Sequence, residues 1–215
     1  MLCTDADLAR IQPDLHNQVV WYSQRLIRAT GAVSGSTLTI SAFDSSFDAA
    51  ILAPGMIIVV GGVPHEVIAK LSATTAQISR IRATPEDDPL LPAAVSGAEV
   101  VLNSFRPQIA IVSEHVLRKF GLDPLQPLTD SQGNPMPLLA ETRRLARYTA
   151  LMTLITIYTV ASADLDPDSA AATRLTWYYS LAREELRFLT AAIDTDDDGK
   201  PDASRRANII PLIRA

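Results

Sequence analysis

Apolar residues recur along this chain first at helical spacing, then at strand spacing, then at helical spacing again. From Asp5 to Ala29, Leu8, Ile11, Leu15, Val19, Tyr22 and Leu26 fall three and four apart, which predicts an amphipathic helix with Thr4 or Asp5 as its cap. Pro13 is awkward inside it, so a start at Pro13 is the alternative, and Gly31 is the expected stop. From Gly31 to Phe105 the pattern changes to short runs rich in Val, Ile, Thr and Ser. Residues 36–41, 55–60, 64–71, 75–81 and 98–103 read as strands, with Gly61-Gly62 as a hairpin turn. Residues 83–92, which hold Pro85, Pro89 and Pro92 among acids, read as a protruding loop.

Helical spacing returns near Pro107. Ile109, Val112, Val116 and Phe120 form one stripe, and Gly121 is placed to end that helix. Proline-rich residues 122–137 read as a loop. A long helix is predicted over Leu138–Ala163; its second half, from Tyr148, is apolar all round and should be buried in a bundle or at an interface. Asp166 and Pro167 suit the cap and first position of a last helix. Its expected core face is Leu175, Tyr178, Tyr179, Ala182, Leu186, Leu189 and Ile193. The expected fold is α+β: a helical bundle body, residues 1–30 and 106–202, interrupted by a small antiparallel β-barrel or sandwich, residues 31–105, and followed by an extended arm, residues 203–215.

Composition narrows what such a chain does. Its 215 residues carry a net charge of -5, which lacks the basic footprint of a duplex-DNA binder. Cys3 is the single cysteine, so no intrachain disulfide supports the fold. The start of the sequence shows no signal-peptide pattern, and the apolar run Tyr148–Ala163 is shorter than the roughly 20 residues a bilayer span needs. His16, His65 and His115 stand apart from one another, and no nucleophile elbow or phosphate-binding loop is present. No catalytic residue is nominated and the chain is read as not an enzyme; a site at the junction of barrel and helices would be the exception.

Two stretches near the end stand out. In "DTDDDGKPD", Asp194, Asp196 and Asp198 occupy alternate positions, Gly199 follows, and Asp202 comes three later. This is the ligand spacing of a calcium loop, with Arg205 where a bidentate glutamate would complete the shell. Either Ca²⁺ or the nearby Arg205 and Arg206 would quiet these carboxylates, which are expected to stop the last helix. No cofactor is required otherwise. The stretch 203–215 holds Arg205, Arg206, Ile209, Ile210, Leu212, Ile213 and Arg214 and no acid. It reads either as a strand that packs back on the body or as an arm whose apolar residues fill pockets on a partner; Pro211 and the polar lead-in favour the arm.

Together, the long helix pair, the acidic "DTDDDG" turn, "SRRAN" and the apolar-basic end resemble the head-to-tail connector adaptors of long-tailed bacteriophages, with "FRPQIAIVSEHVLRKFGL" (105–122) adding to the likeness. The resemblance covers chiefly residues 138–215. It implies a structural protein of the virion neck, assembled in the host cytoplasm and not in a membrane. Such adaptors form a ring of about twelve copies beneath the portal protein and meet a stopper or completion protein on the tail side. DNA passes through without specific binding, a role that acidic charge suits. The resemblance gives portal docking to Arg205, Arg206, Ile209, Ile210, Leu212 and Arg214. The β-rich segment departs from the nearly all-helical family pattern. A calcium-dependent binding module is the alternative reading.

Overall fold

A computed structural model describes residues 1–122, 138–161, 170–194 and 200–207. The chain divides into two compact units, Thr4–Arg106 and Met1–Cys3 together with the residues from Pro107 onward. Residues 4–30 thus group with the β-rich segment rather than with the later helices.

In the first unit the single helix expected over Asp5–Ala29 is instead three short turns and a strand. Helix α1 spans Asp5–Ile11, α2 spans Leu15–Gln18, and a 3-10 turn covers Tyr22–Gln24. Thr4 caps α1: its hydroxyl accepts from the Asp7 N–H and the Asp7 carboxylate accepts from the Thr4 N–H. Gln12, at φ -131° and ψ 87°, leaves the helical region because Pro13 follows, and this ends the helix. Strand β1 then runs over Arg25–Ser34. Ile27, Ala29, Gly31 and Val33 all face inward, a period of two that the helical spacing of Tyr22 and Leu26 masked. Gly31 is no stop signal. A Cβ there would lie 2.7 Å from the Thr39 carbonyl oxygen and 2.9 Å from a Val100 methyl, so glycine lets neighbouring strands approach.

The five expected strands are present as β2 (Thr37–Phe43), β3 (Ile57–Val60), β4 (Val63–Lys70), β5 (Thr75–Ser79) and β6 (Val95–Asn103). With β1 they close an antiparallel barrel in the order β1-β2-β5-β4-β3-β6. Gly61 and Gly62 both take positive φ, and Val60 pairs with Val63 across them, as a tight hairpin requires. The interior is filled by Ile27, Val33, Leu38, Ile40, Ile58, Val67, Ile78, Val100 and Leu102, and Phe47 and Met56 join that core from the β2–β3 connection.

The second unit mixes helices with a sheet that periodicity did not announce. Helix α3 covers Arg106–Lys119, α4 Arg143–Ala161 and α5 Ala170–Phe188; strands β7 (Leu138–Leu139), β8 (Thr190–Asp194) and β9 (Ala203–Arg206) form an antiparallel sheet in the order β7-β8-β9. Gly121, at φ 70°, ends α3, with the Leu122 N–H returning to the Leu117 carbonyl. The helix expected from Leu138 starts at Arg143, because Leu138 and Leu139 pair with Asp194 and Ile193. Asp166 and Pro167 lie outside the described residues.

From Tyr148 to Tyr158, α4 is buried on nearly every side, as its composition requires, but the expected burial does not extend to Thr159 and Val160, which are exposed. Thr153 and Thr156 fit there because they donate back to the carbonyls of Thr149 and Met152. Helix α5 packs antiparallel on α4: Arg147 meets Glu185 at 3.3 Å, and the Tyr158 and Tyr178 rings lie 5.6 Å apart. No helix among the described residues is long and apolar enough to cross a membrane.

Candidate interaction surface

The acidic stretch does not end a helix. Helix α5 stops at Phe188, and Thr190–Asp194 leave it as β8. An apolar residue every three or four positions there suited a continuing helix, but pairing with β7 and β9 takes the segment instead. Residues 195–202 therefore connect two antiparallel strands. Asp194 is buried at the end of β8, while Asp202 is exposed and its N–H donates to the Ile193 carbonyl. Asp196 and Asp198 lie outside the described residues. Among the described residues no three metal-ligating side chains converge.

The first part of the expected arm is likewise a strand. Ala203–Arg206 fold back on β8, with Arg205 opposite Ala191 and Arg206 opposite Thr190. The half-buried Arg205 guanidinium donates to the Phe120 carbonyl at 3.3 Å. A cation there satisfies an orphan carbonyl and complements the negative end of α3. Arg205 thus has a structural job within this unit, whereas Arg206 is exposed. Ile209, Ile210, Leu212 and Arg214 lie outside the described residues.

Beside this hairpin, α5 carries more apolar surface than α4 covers. At 3.6 residues per turn, Trp177, Leu181 and Phe188 fall within about 40° of one another, beside buried Tyr178, whose ring lies 5.2 Å from that of Trp177. Trp177 is 51% exposed and Phe188 82%. Tyr179, expected on the core face, is 53% exposed on the other flank. Leu181 is half-buried, and exposed Glu184 separates it from Phe188, so Trp177 and Phe188 are two exposed aromatic positions on one flank. Helical periodicity predicted the buried arc of α5 but could not reveal how little of it α4 would occupy.

The barrel unit holds its polar groups differently. Glu66, 2% exposed, lies between two arginines: Arg82 reaches both its oxygens, at 2.8 and 3.1 Å, and Arg10 reaches one at 3.1 Å. Arg10 also binds Asp7 and the Arg82 carbonyl, and Arg82 the carbonyls of Pro85 and Asp87, so α1 and the loop over 83–92 are tied to β4. Buried Asp5 accepts from the Ser104 hydroxyl at 2.6 Å and from the Phe105 N–H at 2.8 Å. Burial nevertheless dominates and raises its pKa to about 6. The buried His16 packs on the Phe105 ring, and burial lowers its pKa to about 4. Backbone groups of Asp5 and Asn103 offset this in part, although neither ring nitrogen has a partner of full hydrogen-bond geometry.

A groove of about 350 Å³ on this unit runs past His16, Asn103 and Val101, with Tyr22 and Arg25 on its lining. Arg25 sits 5.5 Å from the Tyr22 ring centre, and Arg28 pairs with Glu99. It holds no nucleophile beside a base, and the nitrogens of its one histidine are enclosed. Comparison with protein-family models, curated proteins and solved structures finds no match for this chain.

Proposed function

We propose that the chain is a structural subunit of a virion neck, an adaptor that forms a ring between the portal protein and the tail and lengthens the DNA channel. Exposed Trp177 and Phe188, with half-buried Leu181 on the same flank of α5, carry this reading, because they give each copy apolar surface for a neighbouring subunit. The resemblance of residues 138–215 to head-to-tail adaptors supplies the specific assembly, and the net charge of -5 suits a channel through which DNA slides. In this reading the helices α3 to α5 form the ring body. The barrel, whose strands leave no open edge, decorates it, and residues beyond β9 reach the portal.

Electron microscopy of the purified chain mixed with a portal protein from the same source tests the proposal. The expected image is a closed ring of additional density on one face of the portal. A chain that leaves the portal bare and is absent from particles carrying that portal would contradict it.

A further inference from the structure

The loop that follows β5 carries apolar side chains into water on an ordered frame. Leu90 is 48% exposed and Leu91 70%. Pro85, Pro89 and Pro92 stiffen the segment, and it is bonded to the barrel on both sides of its acids. On one side the Arg82 guanidinium donates to the carbonyls of Pro85 and Asp87, each at 2.8 Å. On the other the Leu90 N–H donates to the Ser79 hydroxyl at 2.8 Å, and the Leu90 carbonyl accepts from the Arg80 N–H at 3.0 Å. Glu86, Asp87 and Asp88 are exposed beside the leucines, and no lysine or arginine occurs between Ala83 and Gly97. A loop ordered in advance loses little entropy when it docks.

The groove past Asn103 and Val101 offers the complementary chemistry. Arg28, Val101 and Val59 form one row across β1, β6 and β3. The row lies on the outer face, because Ile27, Val100, Leu102, Ile58 and Val60 fill the interior. Exposed Val20 and Tyr22, from the segment after α2, line the same groove. Arg28 is paired with Glu99, but among the described residues Arg25 meets no carboxylate and lies against the Tyr22 ring. Valine side chains, an aromatic ring and an arginine suit a leucine flanked by acid. The groove and the loop of one chain are far apart around the barrel. Leu90 bridges to Arg80, one residue past β5, and in the closed strand order β5 is three strands from β6 in either direction. The loop is thus rooted across the barrel from its own groove.

We propose that the loop over 86–91 of one copy docks in the groove of a second copy, with Leu90 and Leu91 against Val20, Val59 and Val101 and with Asp88 beside Arg25. The two patches differ, so the contact is heterologous. Each docked pair leaves one groove and one loop unused, and repetition joins barrels head to tail. One loop in one groove buries much less than the roughly 1,200 Å² of a stable interface. The barrel core is complete without it, and the dilute chain stays monomeric. The contact forms where copies are concentrated or already held side by side. It needs no portal and does not rest on the adaptor reading.

Engineered cysteines test the docking in the full chain, with Cys3→Ala so that no other thiol is present. Leu91→Cys and Val20→Cys variants are purified separately, then oxidised at high concentration alone and mixed. A disulfide-linked dimer is expected in the mixture and in neither variant alone. It should be lost when Arg25→Glu is added to the Val20→Cys chain, and restored when Asp88→Arg is added to the Leu91→Cys chain as well. Dimers of either variant alone at the level of the mixture would overturn the proposal, as would a mixed dimer that Arg25→Glu leaves unchanged. So would the absence of a mixed dimer from variants that keep the parent's melting temperature. None of these readings involves a portal, so failure here is distinct from failure of the adaptor function.

Discussion

The barrel and the helical unit solve the same burial problem in opposite ways. In the barrel every strand has two neighbours, its inward positions fill one core, and its buried charges are held by partners inside the unit. Among the described residues of the helical unit, β9 is an edge strand and α5 exposes the aromatic side chains of Trp177, Tyr179 and Phe188. One unit is complete in itself; the other presents surface that only another segment or another molecule removes from water.

The sharpest way to break this contrast is to open the barrel from within. Glu66→Ala would leave Arg10 and Arg82 facing each other without their shared carboxylate, at a cost of about 3–5 kcal/mol. Urea unfolding should show the barrel transition moving to much lower denaturant while that of the helical unit stays in place. Gly31→Ala comes next. The added methyl group meets backbone on one side and Val100 on the other, and a loss of about 1–3 kcal/mol is expected in the same assay.

The acid response separates the units more finely. The pKa of Asp5 is raised from 3.8 to about 6 in the folded chain, so its burial is cheapest below pH 4 and stability falls as pH rises from 4 to 6. His16 is lowered from 6.5 to about 4, so its contribution is full above pH 6.5 and lost as pH falls to 4. The two oppose each other across pH 4–6, and the barrel's melting temperature should vary little there. Asp5→Asn keeps an acceptor for the Phe105 N–H and removes one side of the balance. That variant should melt higher than the parent at pH 7 and lose stability on acidification more steeply, as followed by calorimetry.

The smallest effect concerns Ile51, the one non-glycine residue at positive φ among the described positions. The Leu52 N–H returns to Phe47 and the Ile51 N–H to Asp48, a turn bonded as at a helix C-terminus, where glycine is the favoured residue. Ile51 is exposed, so little packing offsets its conformation. Ile51→Gly should stabilise the barrel by about 0.5–1 kcal/mol in thermal unfolding.

Much of the barrel was legible because alternation and hairpin glycines are local signals. Five strands and the Gly61-Gly62 turn follow from them. Strand β1 did not, since Leu8 to Leu26 satisfy a helical period by chance across a proline, and the inward alternation begins only at Ile27. In the helical unit, α3 with its Gly121 stop and the burial of α4 were readable from periodicity and composition. The sheet was not. Leu138–Leu139 and Ala203–Arg206 are too short to carry a strand pattern, and their pairing with β8 depends on residues far apart in sequence. For the same reason the acidic stretch looked like a helix stop. Exposure of this α5 flank depends on which neighbour packs where, a property of tertiary structure alone.

The difference between a finished barrel and an unfinished helical unit is tested most directly by a double substitution, Trp177→Ser with Phe188→Ser. Sedimentation velocity would compare variant and parent, each with the portal protein. The expected result is that the parent joins a ring-sized species while the variant, folded and with an unchanged melting temperature, stays monomeric. A variant that assembles as well as the parent would contradict the claim that this flank of α5 is the surface assembly covers.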